Sequence, residues 1–227
     1  MAKKNNTSFK IIVVITIIIF AIVTALVMIN AQSEQKTETP LETQIPIDGQ
    51  PILGDPDAPV TVVEFGDYKC PACKAWGDQF FPFLVEEYVE TGKVKFVYIN
   101  VLFHGEESEL GSSAAEAIYK QNPESYWEFH KKLFSKQPPS NDHDSAWLTT
   151  EIIEEVANTV EGIDIEKLRE DMNSQSIAEE LKVDSELVEE FNVELTPTVM
   201  VNNIELENPF EYELIVSLIE QELEANE

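Results

Sequence analysis

An uncharged apolar run from Ile11 to Ile29 divides this chain in two: 19 residues interrupted only by Thr16 and Thr24. At about 1.5 Å of helical rise per residue, the run nearly matches a hydrocarbon core roughly 30 Å thick, which predicts a membrane helix. Lys3, Lys4 and Lys10 are the only charges ahead of it and should keep residues 1–10 in the cytoplasm. Behind it lie 12 of the 15 basic residues and all 43 acidic ones, a formal −31 against −28 for the whole chain. The alternative is a cleaved export signal, although signal cores run to only about 7–15 residues. Both readings export the acidic remainder of the chain. From Asn30 to about Gln50 the chain is polar and predicts a linker, with the folded domain running from residue 51 to 227.

The charge also excludes functions. Phosphate contacts need clustered Lys and Arg, and this chain has a single arginine, Arg169, so nucleic-acid binding and docking on an anionic lipid surface are both disfavoured. Two cysteines rule out a disulfide-rich scaffold and a four-thiolate zinc site. With 43% hydrophobic residues in 227, the chain can core one sizeable domain.

The two cysteines stand together as Cys70-Pro71-Ala72-Cys73. That spacing serves zinc, a c-type haem, a structural disulfide or a redox dithiol. Haem attachment needs His after the second cysteine, where Lys74 stands. Zinc needs further ligands, and His104, His130 and His143 show no paired ligand spacing. A disulfide closing so short a loop would constrain little of the unfolded chain. The flanks favour redox chemistry. Val60 to Phe65 reads as a buried strand ended by Gly66-Asp67, and an amphipathic helix should run from Pro71 to about Glu90, kinked at Pro82. Cys70 then sits at a helix N-terminus, whose free amides and dipole stabilise a thiolate. It should be the exposed nucleophile, with Cys73 the shielded resolving thiol. Lys69 and Lys74 flank the pair and oppose the surrounding negative field. Glu64 interrupts the apolar strand. If buried, its pKa should rise, which suits a group passing a proton to and from Cys73 through water; a solvent-facing edge position is the alternative.

The run Val62-Val63-Glu64-Phe65-Gly66-Asp67-Tyr68-Lys69-Cys70-Pro71-Ala72-Cys73, together with the distant Thr196-Pro197, resembles DsbA-type thiol-disulfide oxidoreductases. These are thioredoxin-fold proteins that make disulfides in exported proteins. With a membrane segment in front, the chain is most similar to the membrane-anchored Gram-positive branch of that family, over about Gln50 to the C-terminus. The resemblance implies an α/β thioredoxin-like fold with an inserted helical domain, at approximately 106–175. It implies a cis peptide before Pro197, with the Thr196 backbone meeting substrate. It matches Glu64 to the family's buried acid and assigns substrates among reduced, unfolded exported proteins. Reoxidation would come from a membrane quinone-linked partner of the DsbB or BdbC type. The exchange requires no cofactor. A peripheral calcium site is implied at Gln50, Glu116 and Asp184; the alternative is three unrelated surface residues. Ala72 departs from the CPHC of the best-known relatives and removes one source of thiolate stabilisation. A reductase or isomerase on the same fold, and a non-enzymatic binding module, are the competing functions.

Elsewhere, Lys93 to Val101 alternates as a second strand. Helical stretches come next at about 107–120, 126–134, 147–158, 164–173 and 176–191. Strands at 198–201 and 204–206 and a helix at 209–223 close the chain. Trp127, Phe129, Leu133 and Phe134 should pack the insert. His104 follows the second strand and could face the dithiol; an ordinary loop histidine is the alternative. No dedicated dimerisation domain is evident, which predicts a monomer.

Overall fold

The structure, a computed structural model, describes residues 15–16, 39–41, 43–139 and 145–226. The chain divides after Glu38 into two units. Of the first, only Ile15 and Thr16 are described, and they are helical. The membrane span predicted at 11–29 therefore lies almost wholly outside the described residues. Among those residues, no helix is long and apolar enough to cross a membrane.

The second unit is built on a six-stranded mixed sheet. Its strands are β1 (Thr39–Pro40), β2 (Ile52–Leu53), β3 (Val60–Gly66), β4 (Val94–Asn100), β5 (Thr198–Val201) and β6 (Ile204–Glu205), in the order β1-β6-β5-β3-β4-β2. β3 lies in the middle, parallel to β4 and antiparallel to β5. Its sequence, VTVVEFG, is apolar on both alternations, as a strand covered on both faces must be. On one face Val60 and Val62 join Phe96, Tyr98, Val199 and Val201; on the other, Val63 and Phe65 join Val97, Ile99 and Met200. Glu64 shares the first face by the period-two rule. At the end of β3, Gly66 lets the Tyr98 ring close over the backbone: a Cβ there would lie 2.5 Å from it.

Helix α1 (Pro71–Gln79) starts with proline at its first position, where no donor is missed, and Cys70 at its N-cap. It breaks at Phe80 (φ −116°, ψ −36°), because Pro82 has no N–H for the Asp78 carbonyl and its ring crowds that group. A short α2 (Phe81–Leu84) and a π-turn (Val85–Val89) complete the predicted kinked helix. Between β4 and β5 come α3 (Glu106–Gln121), α4 (Tyr126–Ser135), α5 (Thr150–Ala157), α6 (Ile165–Met172) and α7 (Gln175–Glu190). The helical block thus extends from Glu106 to Glu190, beyond the 106–175 boundary. α5 begins later than the predicted 147 because Thr149 caps it, its side chain accepting from the Ile152 amide. α8 (Tyr212–Ala225) returns beneath the sheet, with Ile215, Leu218 and Ile219 buried.

Two expectations need correction. The domain body begins at Thr39 rather than at 51: Thr39 and Pro40 pair with Glu205 and Ile204. Ile45 and Gln50 are buried, so the apolar residues scattered through the polar stretch serve as core contacts. Trp127 packs beyond the insert, stacking on Phe81 at 6.0 Å and donating to the Ile52 carbonyl at 3.1 Å, which seats α4 on the sheet.

Candidate active site

The turn from Gly66 to Cys70 carries the central strand into α1 and sets the two sulfurs one helical turn apart. Both cysteines are free and buried. Cys73 is 1% exposed and Cys70 6%, so Cys70 is the more accessible sulfur without being open, contrary to the expectation of an exposed nucleophile. Its cover comes from the opposite loop. The Thr196–Pro197 peptide is cis, as the resemblance implied, and Cys70 Sγ lies 3.4 Å from the Thr196 carbonyl oxygen. The hydrogen bond from the Cys73 thiol brings the Cys70 pKa down to about 6, overcoming the effect of burial. The Thr196 side chain and the backbone amides of Cys73 and Ala72 assist. Burial raises Cys73 well above the ordinary thiol range, reinforced by the bond it makes to Cys70. One sulfur is therefore poised as a thiolate and its neighbour as a thiol.

Neither flanking lysine contributes to that asymmetry. Lys69 binds Glu107 at 2.6 Å, and Lys74 lies 3.1 Å from Asp78. Each cation is neutralised locally, so the bond from the Cys73 thiol carries most of the effect, with Thr196 and the amides at the helix start adding to it.

Glu64 sits on the central strand, beside Tyr98 on β4 and Val199 on β5, and is 3% exposed. The edge-strand alternative is thereby removed. Burial raises its pKa well above the carboxylate range, and negative charge on Cys70 raises it further.

Three contributors are not evident from the sequence. The Asp67 amide donates to Cys73 Sγ at 3.4 Å. The Asp67 carboxylate accepts from the Lys69 and Phe103 amides, His104 Nδ1 and the Ser108 hydroxyl, at 2.7–3.1 Å. His104, either a dithiol-facing or an ordinary loop residue by sequence, thus braces the active-site turn. Gln137 is buried and donates to the Tyr68 and Cys70 carbonyls, both at 3.1 Å. An Asp after a strand-ending Gly reads only as turn chemistry, and a lone Gln carries no signal, so neither role is legible.

Gln50, Glu116 and Asp184 do converge, and Asn100 joins them. Gln50 Nε2 donates to Asp184 at 2.7 Å, and Asn100 Nδ2 donates to Glu116 at 2.7 Å and Asp184 at 2.8 Å. All four residues are buried, so these are not unrelated surface residues. Burial raises Glu116 to about 8, with Asp184 adding to the shift, and burial raises Asp184 to about 6. Gln50 Oε1 and Asn100 Oδ1 are buried without a hydrogen-bond partner. Among the described residues, no group of three or more His, Cys, Asp or Glu is placed to hold a metal. This set offers two carboxylates and two amide oxygens instead, an all-oxygen donor set that fits a hard cation and not a soft one.

A helix-capped dithiol facing a cis-proline loop, with a buried acid beneath it, defines a class: the thioredoxin-fold thiol-disulfide oxidoreductases. The chain belongs to the thioredoxin family, whose profile matches residues 47–221. It is 40% identical over 196 residues to disulfide bond formation protein D of Bacillus subtilis, covering 86% of each chain. To the probable disulfide bond formation protein D of Bacillus anthracis it is 39% identical over 175 residues, 77% of this chain and 78% of that one. The crystal structure of oxidised BdbD from Bacillus subtilis aligns with a TM-score of 0.77 at 40% identity, covering 82% of this chain and 98% of that one. That of Chlamydia trachomatis DsbA aligns with a TM-score of 0.66 at 25% identity, covering 76% and 90%.

Proposed function

We propose that the protein donates its Cys70–Cys73 disulfide to reduced proteins outside the cytoplasm, anchored through residues 11–29 and reoxidised by a quinone-linked membrane partner of the DsbB or BdbC type. The observation that carries this reading is the split between the two sulfurs, with Cys70 held near 6 and Cys73 pushed up. In the oxidised form, a substrate thiolate attacks Cys70 Sγ. The S–S bond breaks, Cys73 departs as the leaving thiolate, and the Glu64 carboxyl supplies its proton. Thr196 and Pro197 hold the substrate segment beside the mixed disulfide. A second substrate thiolate then attacks the substrate sulfur, forming the substrate disulfide and releasing Cys70 as its stabilised thiolate. The apolar run, the −31 charge behind it and the similarity to proteins named for disulfide bond formation support the placement. Gln50, Asn100, Glu116 and Asp184 are the residues that would hold a structural calcium ion, away from the sulfur chemistry.

The sign of the redox effect is set by Cys70. A lowered thiolate pKa stabilises the reduced protein above about 6, and the benefit is lost as pH falls through that value. At neutral pH, about one unit higher, the gain is roughly 1.4 kcal/mol. For a two-electron couple this is about 30 mV toward oxidising strength. The disulfide-donor reading expects equilibration with glutathione to place the domain above the glutathione couple. A potential far below it would assign the protein to the reductases. Glu64→Gln should slow the exchange steps involving Cys73 by ~10²-fold, within the range of positioned proton transfer. An unchanged stopped-flow rate would remove the relay role.

A further inference from the structure

β3 and β4 run parallel and end together, with Gly66 beside Asn100, so the loop after β4 leaves the sheet where the turn to Cys70 begins. β5 runs the other way and starts at the same end, with Thr198 beside Phe65. Because β3 lies between β5 and β4, Cys70 emerges between two loops. The loop ahead of β5 brings the Thr196 carbonyl to 3.4 Å from Cys70 Sγ. The loop behind β4 brings an imidazole.

His104 is held by one edge of its ring. Nδ1 lies 2.7 Å from the carboxylate of Asp67, which is fully buried and whose backbone carbonyl accepts from the Cys70 amide at 3.0 Å. A carboxylate at Nδ1 fixes that nitrogen as the donor and leaves the lone pair on Nε2. Nε2 has no hydrogen-bond partner among the described residues, and the side chain is 39% exposed. Asp67 already accepts from the Lys69 and Phe103 amides and the Ser108 hydroxyl, so bracing the turn does not call for a titratable, half-open ring as a fourth donor. The neighbouring charges are committed elsewhere. Lys69 is paired with Glu107 and Lys74 with Asp78, while Glu64 is buried and shares its cavity with Cys73, not Cys70.

A client thiol must lose its proton to attack, because the thiolate is the nucleophile, and at neutral pH an ordinary cysteine is only about 3% ionised. We infer that His104 is a catalytic base of the exchange: its Nε2 takes the proton of the client thiol that attacks Cys70, and Asp67 holds the ring in the accepting tautomer. The client S–H bond breaks, its proton moves to Nε2, and the sulfur's electron pair forms the bond to Cys70 Sγ. The Cys70–Cys73 bond breaks in the same step, its pair leaving on Cys73. The client sulfur is oxidised and the Cys73 sulfur reduced. The imidazolium, stabilised meanwhile by Asp67, sheds its proton to solvent.

This inference rests on the disulfide-donor reading, and the test separates the two. Oxidised wild type and His104→Asn would be mixed with reduced glutathione in a stopped-flow instrument between pH ~6 and ~10, and opening of the Cys70–Cys73 bond followed by tryptophan fluorescence. Asparagine keeps a donor for Asp67 and removes the base. The second-order rate should fall about tenfold at neutral pH, under the ~30-fold ceiling set by the ionised fraction of an ordinary thiol. The deficit should close above pH ~8.5, where the thiol ionises unaided. Iodoacetamide alkylation of Cys70 in the reduced variant should keep its wild-type rate, since no client thiol takes part. If asparagine unsettles the loop, His104→Gln gives the same reading. Equal rates at neutral pH would overturn the base, and so would a deficit of one size at every pH, which is the mark of bracing alone. If the wild type failed to oxidise a reduced two-cysteine peptide at any pH, the disulfide-donor reading would fall and take the base with it.

Discussion

A Cys73→Ala variant should lose disulfide donation altogether and, given glutathione disulfide, should retain glutathione on Cys70. With no second sulfur, the variant forms no internal disulfide to donate. Its remaining thiolate attacks a disulfide and cannot be displaced from within the chain. The structure adds a second expected result. The bond from the Cys73 thiol is the largest contribution holding Cys70 near 6, so alanine should raise the Cys70 midpoint. Serine, whose hydroxyl also donates, should raise it less. Thiolate ultraviolet absorbance against pH measures both. An alanine variant that still ionises near 6 would shift the credit to the helix start and to Thr196. Cys70→Ser should fail both assays, because no nucleophile remains at the face presented to substrate.

The second large effect should appear in stability. Glu116, raised to about 8, and Asp184, raised to about 6, bind protons more tightly in the folded chain than in the unfolded one. For such acids the native state holds more protons between the unfolded and folded pKa values, so stability falls as pH rises across that interval. It begins to fall once the unfolded carboxylates ionise, near pH ~4, and the loss is complete above about 8. Glu64 contributes with the same sign. A calcium ion facing Glu116 and Asp184 removes the penalty for ionising them and leaves Glu64 untouched. Excess calcium should therefore raise the melting temperature, by more at alkaline than at acidic pH, with the increment tracing the titration of this pair alone. Glu116→Gln should abolish most of the calcium response while stabilising the ion-free protein at high pH. The absence of a thermal shift at any pH would end the calcium assignment.

Local pattern carries the dithiol, Glu64 and the order of elements, whereas the cis peptide before Pro197 is implied only by the family resemblance. The first two depend on a short window: a CxxC after an apolar strand and one charged residue inside that strand. The contributions that escape such a reading arise from chain segments far apart in sequence. Asn100 meets Asp184 across 84 positions and Gln137 meets Cys70 across 67, and nothing local to either residue marks its partner. The linker boundary misleads for a related reason. Residues 39–50 are polar on average, yet Ile45 is buried beside residues of β3, β4 and β5, and the Thr39–Pro40 backbone pairs with β6 near the other end of the chain. A place at a helix start suggests that Cys70 is exposed; the opposing Thr196 loop, which covers it, is 126 residues away.

The carboxylate of Asp67 grips the active-site turn at the Lys69 amide and grips the loop after β4 through Phe103, His104 and Ser108. The two cysteines therefore make and break their bond against a clamped frame, much as a die closes against a fixed bed. With the reorganisation confined to the sulfurs and a proton, differences in rate between client proteins should originate in the clients, in how easily each brings a thiol to that fixed point.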